Sequence, residues 1–188
     1  MDQPRILAFA GSLRKDSFNK RLIAIAAAGA TNAGAAVTLI DLRDYPLPIY
    51  DADIEEESGI PANGEALKQL FRTNDGLLLS CPEYNSSITA VFKNTIDWVS
   101  RPSPGETIGN KIVTLMSASP GALGGLRGLV HVRSIFGNLN AIVLPGQLTI
   151  PKAHEAFNET GQLKDARQQA NAEALGAALA GAIRKWKS

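Results

Sequence analysis

The sequence predicts an α/β fold, a five-stranded parallel sheet covered by helices on both faces. Three observations carry this expectation. Short apolar runs alternate with helix-forming stretches five times along the chain, the pattern of successive βαβ units. The run GLLLSC at 76–81 is apolar without alternation, as a strand buried on both faces must be. The chain has 188 residues, 45% of them apolar, enough to bury one substantial core, so a single domain over 1–188 is expected.

Each element has its own signal. RILAFA at 5–10 is a short apolar strand, and the alanine-rich stretch 18–30 has high helix propensity. Residues 36–40 read as the second strand. YPLPIY at 45–50 carries two prolines, which no central strand accommodates, so it reads as an extended loop; DADIEEE at 51–57 reads as a solvated acidic loop. A helix over 63–73 has Asn63 in position to cap it. The buried strand 76–81 is followed by a helix over 88–100, halted by Pro102. A fourth strand spans 111–116, a helix 126–136 and a fifth strand 141–144, which Pro145 and Gly146 are expected to end. A closing helix covers 162–185. Right-handed crossovers and five strands favour the sheet order 2-1-3-4-5.

Composition narrows function. Nineteen Lys and Arg balance 18 Asp and Glu, so no basic surface for nucleic acid or an anionic membrane is expected. Any anion must then be held by a few placed groups. One cysteine, Cys81, excludes disulfide frameworks and CxxC patterns. No signal peptide or membrane-spanning run is read, and a reducing cytoplasm is the expected compartment.

In a sheet of this order, ligands gather at the carboxyl ends of the strands. The loops after strands 1, 3 and 4 read GSLRKDSFN, PEYNSS and SASPGALGG. In the first, a helix N-terminus offers unpaired amides and positive dipole to a phosphate. Ser12, Ser17 and Asn19 add short polar side chains, Arg14 a charge-assisted contact, and Gly11 a close turn. The competing reading is a capped helix with Ser17 at the cap and Arg14 solvated. In the second loop, Pro82 fixes the chain direction, and Glu83, Tyr84 and Asn85 either form an ordinary turn before a helix capped by Ser87 or present a rigid edge to a flat ligand. In the third, the glycines from Gly121 onward, with Ser117, either connect two elements flexibly or let a planar ring approach the main chain. GxxxxGK[ST] and GxGxxG are both absent.

Taken together, GSLRKDSFN, PEYNSSITAVFKNTIDWVSRP and SASPGALGG, in this order and spacing, resemble the NAD(P)H-dependent FMN reductase family, in the branch that includes chromate and quinone reductases and azoreductase-like enzymes. The resemblance covers nearly the whole chain. It implies a flavodoxin-like three-layer α/β/α sandwich that binds FMN, uses NADPH or NADH, and assembles as a homodimer or homotetramer. By that resemblance Ser12, Arg14, Ser17 and Asn19 hold the FMN phosphate. Pro82, Glu83, Tyr84 and Asn85 meet the ring and ribityl chain, Ser117 and Gly121 lie beside the ring, and the helix with Lys93, Asn94, Asp97 and Trp98 sits at a subunit interface. Gln147 stands where relatives carry a glutamate that would join Tyr84 and Arg101 in a cross-subunit network. The implied cycle is ping-pong: hydride passes from NAD(P)H to FMN, and electrons then go to a quinone, chromate or another oxyanion, an azo compound or free flavin. Arg101 and Arg127 are candidates to attract an anionic acceptor.

Other constellations fall short. HEAFN at 154–158 lacks the second histidine of HExxH, and SASPG is not GxSxG. No metal set is read, His131 reads as structural, and Cys81, ending a buried strand, reads as inert unless its nearness to the site gives it a redox role. The competing class is a flavodoxin-like single-electron carrier without NAD(P)H turnover; its usual acidity is missing from this near-neutral chain.

Overall fold

A computed structural model describes residues 3–188. Five strands, β1 (Arg5–Ala10), β2 (Ala36–Ile40), β3 (Gly76–Ser80), β4 (Ile112–Ala118) and β5 (Ile142–Ile150), form one parallel sheet in the order 2-1-3-4-5. This is the flavodoxin-like arrangement. The helices are α1 (Phe18–Asn32), α2 (Ala52–Ser58), α3 (Ala62–Thr73), α4 (Ala90–Val99), α5 (Leu126–Asn138), α6 (Ala153–Ala156) and α7 (Ala166–Lys187). Strand alternation sorts the core into two layers. Ile6, Ala8, Leu78, Ile112 and Met116 face α1 and α7; Leu7, Phe9, Leu77, Leu79, Val113 and Leu115 face the aromatic layer of Phe71, Phe92 and Phe136.

The alanine-rich character of α1 has a packing cause. A Cβ on Gly176 of α7 would fall 1.9 Å from the Ala26 carbonyl oxygen, and one on Gly29 would fall 2.1 Å from that of Glu173. The two helices therefore touch backbone to backbone, which only small residues permit.

Four local expectations need correction. The acidic run is a helix, α2, capped by the Asp51 carboxylate, which accepts from the Asp53 amide; Asp53 and Glu55 lie in its first turn, where the helix dipole favours them. Pro61, not Asn63, precedes α3; the Asn63 amide instead donates to the Pro46 carbonyl at 2.8 Å. Thr89, not Ser87, caps α4. Pro145 and Gly146 do not end β5. The strand bulges there, pairing Val113 with Val143 and then Leu115 with Gln147. β5 is an edge strand, and proline is tolerated at an edge bulge because no outer neighbour needs its missing N–H.

Candidate active site

The three loops meet where β1, β3 and β4 end. Ser12, Arg14, Ser17 and Asn19 from the first loop, Pro82, Glu83 and Tyr84 from the second, and Ala118, Ser119 and Pro120 from the third line one cleft. The cavity itself is only ≈ 50 Å³, so it seats a small polar group, and anything larger must extend outward across the loops.

The floor is prepared for an anion. Ser17 occupies the N-cap position of α1 but makes no side-chain cap bond, and it is buried. Among the described residues the first-turn amides of Phe18 and Asn19 find no acceptor. Free hydroxyl, free amides and helix dipole together favour negative charge. Ser12, also buried, accepts from the Arg14 amide at 3.3 Å, which shapes the turn and leaves the exposed Arg14 guanidinium beside it.

Asn19 has a different position from its neighbours. Its side-chain amide donates to the Ala118 carbonyl at 2.8 Å. Its Oδ1 accepts from the Ser80 hydroxyl at 2.8 Å and from the Ala118 amide at 3.0 Å. The side chain thus ties α1 to the ends of β3 and β4. Thr89 makes a second tie: its hydroxyl donates to the Gly11 carbonyl at 2.7 Å while accepting from the Phe92 amide. Gly11 leaves room for that approach, since a Cβ there would meet Phe92 at 2.9 Å.

The second loop is held from α5. Glu83 Oε2 accepts from the Gly128 amide at 3.1 Å, so this carboxylate caps the first turn of α5 and points its charge at a helix N-terminus. Tyr84 and Ser87 exchange both backbone hydrogen bonds around Asn85 and Ser86, which have φ of 50° and 63°. Such left-handed pairs make tight primed turns, and they persist only where the surroundings enforce them. Here Ser87 Oγ pairs with His131 Nδ1 at 2.8 Å, and Arg127 donates to Ser86 Oγ at 3.4 Å. Tyr84 stands 53% exposed at the rim.

A model of the NADPH-dependent FMN reductase family matches residues 4–155. The chain belongs to this family. It is an oxidoreductase family with FMN as cofactor and NAD(P)H as co-substrate. The chain is 37% identical over 143 residues to a quinone reductase of Escherichia coli, a match covering 74% of this chain and 73% of the relative. It is 34% identical over 166 residues to an NAD(P)H-dependent FMN reductase of Pseudomonas aeruginosa, covering 87% and 86%. The fold matches the flavoenzyme NAD(P)H:(acceptor) oxidoreductase FerB of Paracoccus denitrificans with a TM-score of 0.80 at 24% identity, over 97% of this chain and 98% of that one.

The cleft suits the family's cofactor: a buried, uncapped hydroxyl and free helix amides fit a phosphate. Seven of the ten residues expected to bind it line the cleft. Ser117 does not open onto it. β4 runs on to Ala118, so Ser117 is a strand residue, wholly buried, and its hydroxyl has no hydrogen-bond partner among the described residues. A Cβ on Gly125, at φ +93°, would fall 1.9 Å from that hydroxyl, so it lies under the glycine loop. The residue presented at that level is Ser119, which strand length would have revealed. Asn85 and Gly121 stand exposed beside the cleft without lining it.

Arg101 lies elsewhere. It donates to Glu55 Oε2 at 3.0 Å, and its guanidinium lies 5.2 Å from the centre of the Tyr50 ring; Tyr50 also donates to Glu55, at 2.9 Å. Burial pushes the Glu55 carboxyl up, but these two hydrogen bonds and the arginine's charge outweigh it and hold the group below its ordinary value. Trp98 and Asn94 both donate to the Pro48 carbonyl, at 2.9 and 2.8 Å, so these α4 side chains fasten the proline-rich segment of their own chain. Gln147 is within β5 and accepts from Arg133 at 3.0 Å. Cys81 is buried and burial pushes its thiol far up, which suits packing and not redox chemistry.

Proposed function

We propose that this protein is a single-domain reductase that binds FMN in the cleft at the ends of β1, β3 and β4 and reduces quinones at the expense of NAD(P)H. The observation that carries the reading is the convergence of Ser12, Arg14 and Ser17 with the unpaired amides of α1 on one small polar pocket. There Ser12, Ser17, the free first-turn amides of α1 and the Arg14 guanidinium would hold the FMN phosphate. Asn19 acts as the brace that fixes the pocket wall. Pro82 to Asn85 border the ring and ribityl chain, and the segment from Ser119 through Gly121 borders the other edge.

FMN, when bound, supplies the redox chemistry, taking two electrons from the dihydronicotinamide and passing them on. The chain's own part is positional. With FMN held by these residues, the braced loops and the exposed Tyr84 would border the side of the cleft that nicotinamide and acceptor would approach in turn, in a ping-pong order. Backbone amides of the glycine loop would stabilise negative charge on the bound cofactor, if its ring edge lies against that loop. Arg127, exposed beside the Ser86 hydroxyl, gives positive charge for anionic acceptors such as chromate; azo compounds and free flavin are further acceptors that an open face admits. Tyr84, Leu123, Leu126 and Val130 are exposed apolar side chains near this rim, which supports self-association as a homodimer or homotetramer. A free buried thiol is compatible with a reducing cytoplasm.

Anaerobic stopped-flow mixing of the FMN-loaded protein with NADPH and then NADH tests the reading. Rapid bleaching of the flavin's visible absorbance, reversed on adding a benzoquinone, is the expected result. Stable absorbance with both nucleotides would overturn it in favour of a single-electron carrier.

A further inference from the structure

A second cavity lies away from the three loops. It is a groove of ≈ 470 Å³ between β5 and α7, within the range of small-molecule sites. The β5 bulge at 144–146 forms one wall. The other is the face of α7 that carries Leu175, Ala178, Gly181 and Ala182, and exposed Lys185 stands at the end toward the helix C-terminus.

Three features distinguish it from a packing gap. Cβ atoms built on Gly146 or Gly181 would meet nothing within 4 Å, whereas one on Gly176, little more than a turn earlier in α7, would strike backbone. The helix is therefore jammed against α1 and open toward β5. The bulge places residues 144–146 opposite Thr114 alone, and Arg133 fixes it through the Leu144 carbonyl at 2.9 Å. The third feature is chemical. Thr114 is 1% exposed, and its hydroxyl has no hydrogen-bond partner among the described residues. Alternation puts it on the same face of β4 as Ile112 and Met116, which pack toward α7. Thr114 is thus a lining residue at the inner wall of an otherwise apolar groove, and its buried, unpaired hydroxyl calls for a polar partner.

We propose that this groove binds a medium-chain hydroxyalkanoate. The carboxylate pairs with Lys185, the chain lies along Leu175, Ala178 and Ala182, and a hydroxyl reaches Thr114. Leu175 and Lys185 are separated by about 15 Å of helix at 1.5 Å per residue, which favours an elongated ligand over a compact one. The site is distinct from the cofactor cleft, since Thr114 lies four residues before Ala118 on β4, about 13 Å at the strand rise. The proposal rests on the groove alone and does not depend on the reductase reading.

The test is an amide NMR titration of the FMN-loaded protein with ω-hydroxydecanoate, decanoate and decanol. Shifts at Gly146, Ala178, Gly181 and Ala182, with residues 12–19 unmoved, are expected. Lys185→Glu weakens both carboxylates by about tenfold or more and leaves decanol unchanged. Thr114→Val weakens only the hydroxylated acid, by about fivefold. Gly181→Leu fills the groove and abolishes all three. Absence of binding, shifts centred elsewhere, or equal effects of Thr114→Val on both acids would overturn the proposal. A change of oligomeric state in Gly181→Leu without probe binding to the parent would instead assign the groove to a second copy of the chain. Should Thr114→Val not fold, the Lys185 and Gly181 variants still decide the matter.

Discussion

Replacing Asn19 by alanine separates a structural brace from a cofactor ligand. The side chain makes three buried hydrogen bonds, two of them to the backbone of Ala118 and one to Ser80. The Ser80 hydroxyl can rotate toward another acceptor, but the Ala118 amide and carbonyl are fixed by the sheet. Two backbone groups left unpaired in the interior, at about 1–3 kcal/mol each, predict a loss of about 2–6 kcal/mol. Urea unfolding of the cofactor-free protein should show the midpoint falling with an unchanged slope. FMN affinity should fall too, because the loops the residue ties together lose their mutual register. The discriminating result is the stability of the cofactor-free protein. A change below about 0.5 kcal/mol, combined with weak FMN binding, would refute the brace and return Asn19 to the role of a direct ligand.

The aspartate variant sharpens this. Asn19→Asp keeps the oxygen that accepts from Ser80 and the Ala118 amide but, when ionised, sets its other carboxylate oxygen against the Ala118 carbonyl. When protonated, it can donate as the asparagine does. Burial and that carbonyl raise its pKa in the folded state above the unfolded value of about 3.9. The folded state then holds the proton more tightly, so stability is greatest below that value and falls as pH rises through the folded pKa. A midpoint independent of pH relative to the parent would contradict the geometry.

Four further outcomes follow from the same contacts. Arg14→Ala should weaken FMN binding by about 10- to 100-fold, the loss of one charge-assisted contact, while the unfolding midpoint of the cofactor-free protein stays within error. Gly176→Ala should destabilise by about 1–3 kcal/mol, seen as a drop in Tm, despite alanine's better helix propensity, because its methyl group would collide with the Ala26 carbonyl. Burial pushes the Asp41 carboxyl up, but the hydrogen bonds from Arg43 and Lys20 outweigh it and hold it down to about 2. Its contribution is therefore present above the unfolded value and lost as pH falls toward 2, so the Tm gap between the parent and Asp41→Asn should close over that interval. Cys81 should resist a thiol-specific reagent in the native protein and react fully in urea.

What the sequence made legible, and what it hid, divides along a physical line. Strands and helices that carry the site were readable because apolar periodicity and punctuation by Gly and Pro report local structure directly. So was the gathering of the first loop's polar residues, which the structure brings to one cleft. The β5 bulge was not readable: Pro145 and Gly146 signal a break, and only the absence of an outer neighbour lets the strand continue past them. Helix α2 was hidden because its acids resemble a solvated loop until Asp51 is seen as a cap and Glu55 as the partner of Tyr50 and Arg101. Ser117 and Ser119 could be told apart only once the end of β4 was known, since one residue of register decides which serine lies under the glycine loop. The Arg101–Glu55 contact was hidden for a similar reason, because the two are 46 residues apart in sequence.

The hydrogen bonds around the cleft suggest where specificity resides. Asn19 and Thr89 lock the first loop to the ends of β3, β4 and α4, and Glu83 and His131 lock the second to α5. A pocket assembled this way has little left to order when a phosphate arrives, so its affinity is set by fixed donors and not by loop closure. The exposed stretch from Pro120 to Leu123 has few such ties, and with the Tyr84 ring it faces the solvent side of the same cleft. Substitutions there can change what approaches the ring without disturbing what holds the phosphate. Cofactor retention and acceptor preference should therefore vary independently: Leu123→Ala alters the ranking of quinone acceptors at constant FMN affinity, whereas changes at Ser12 and Ser17 alter affinity at constant ranking.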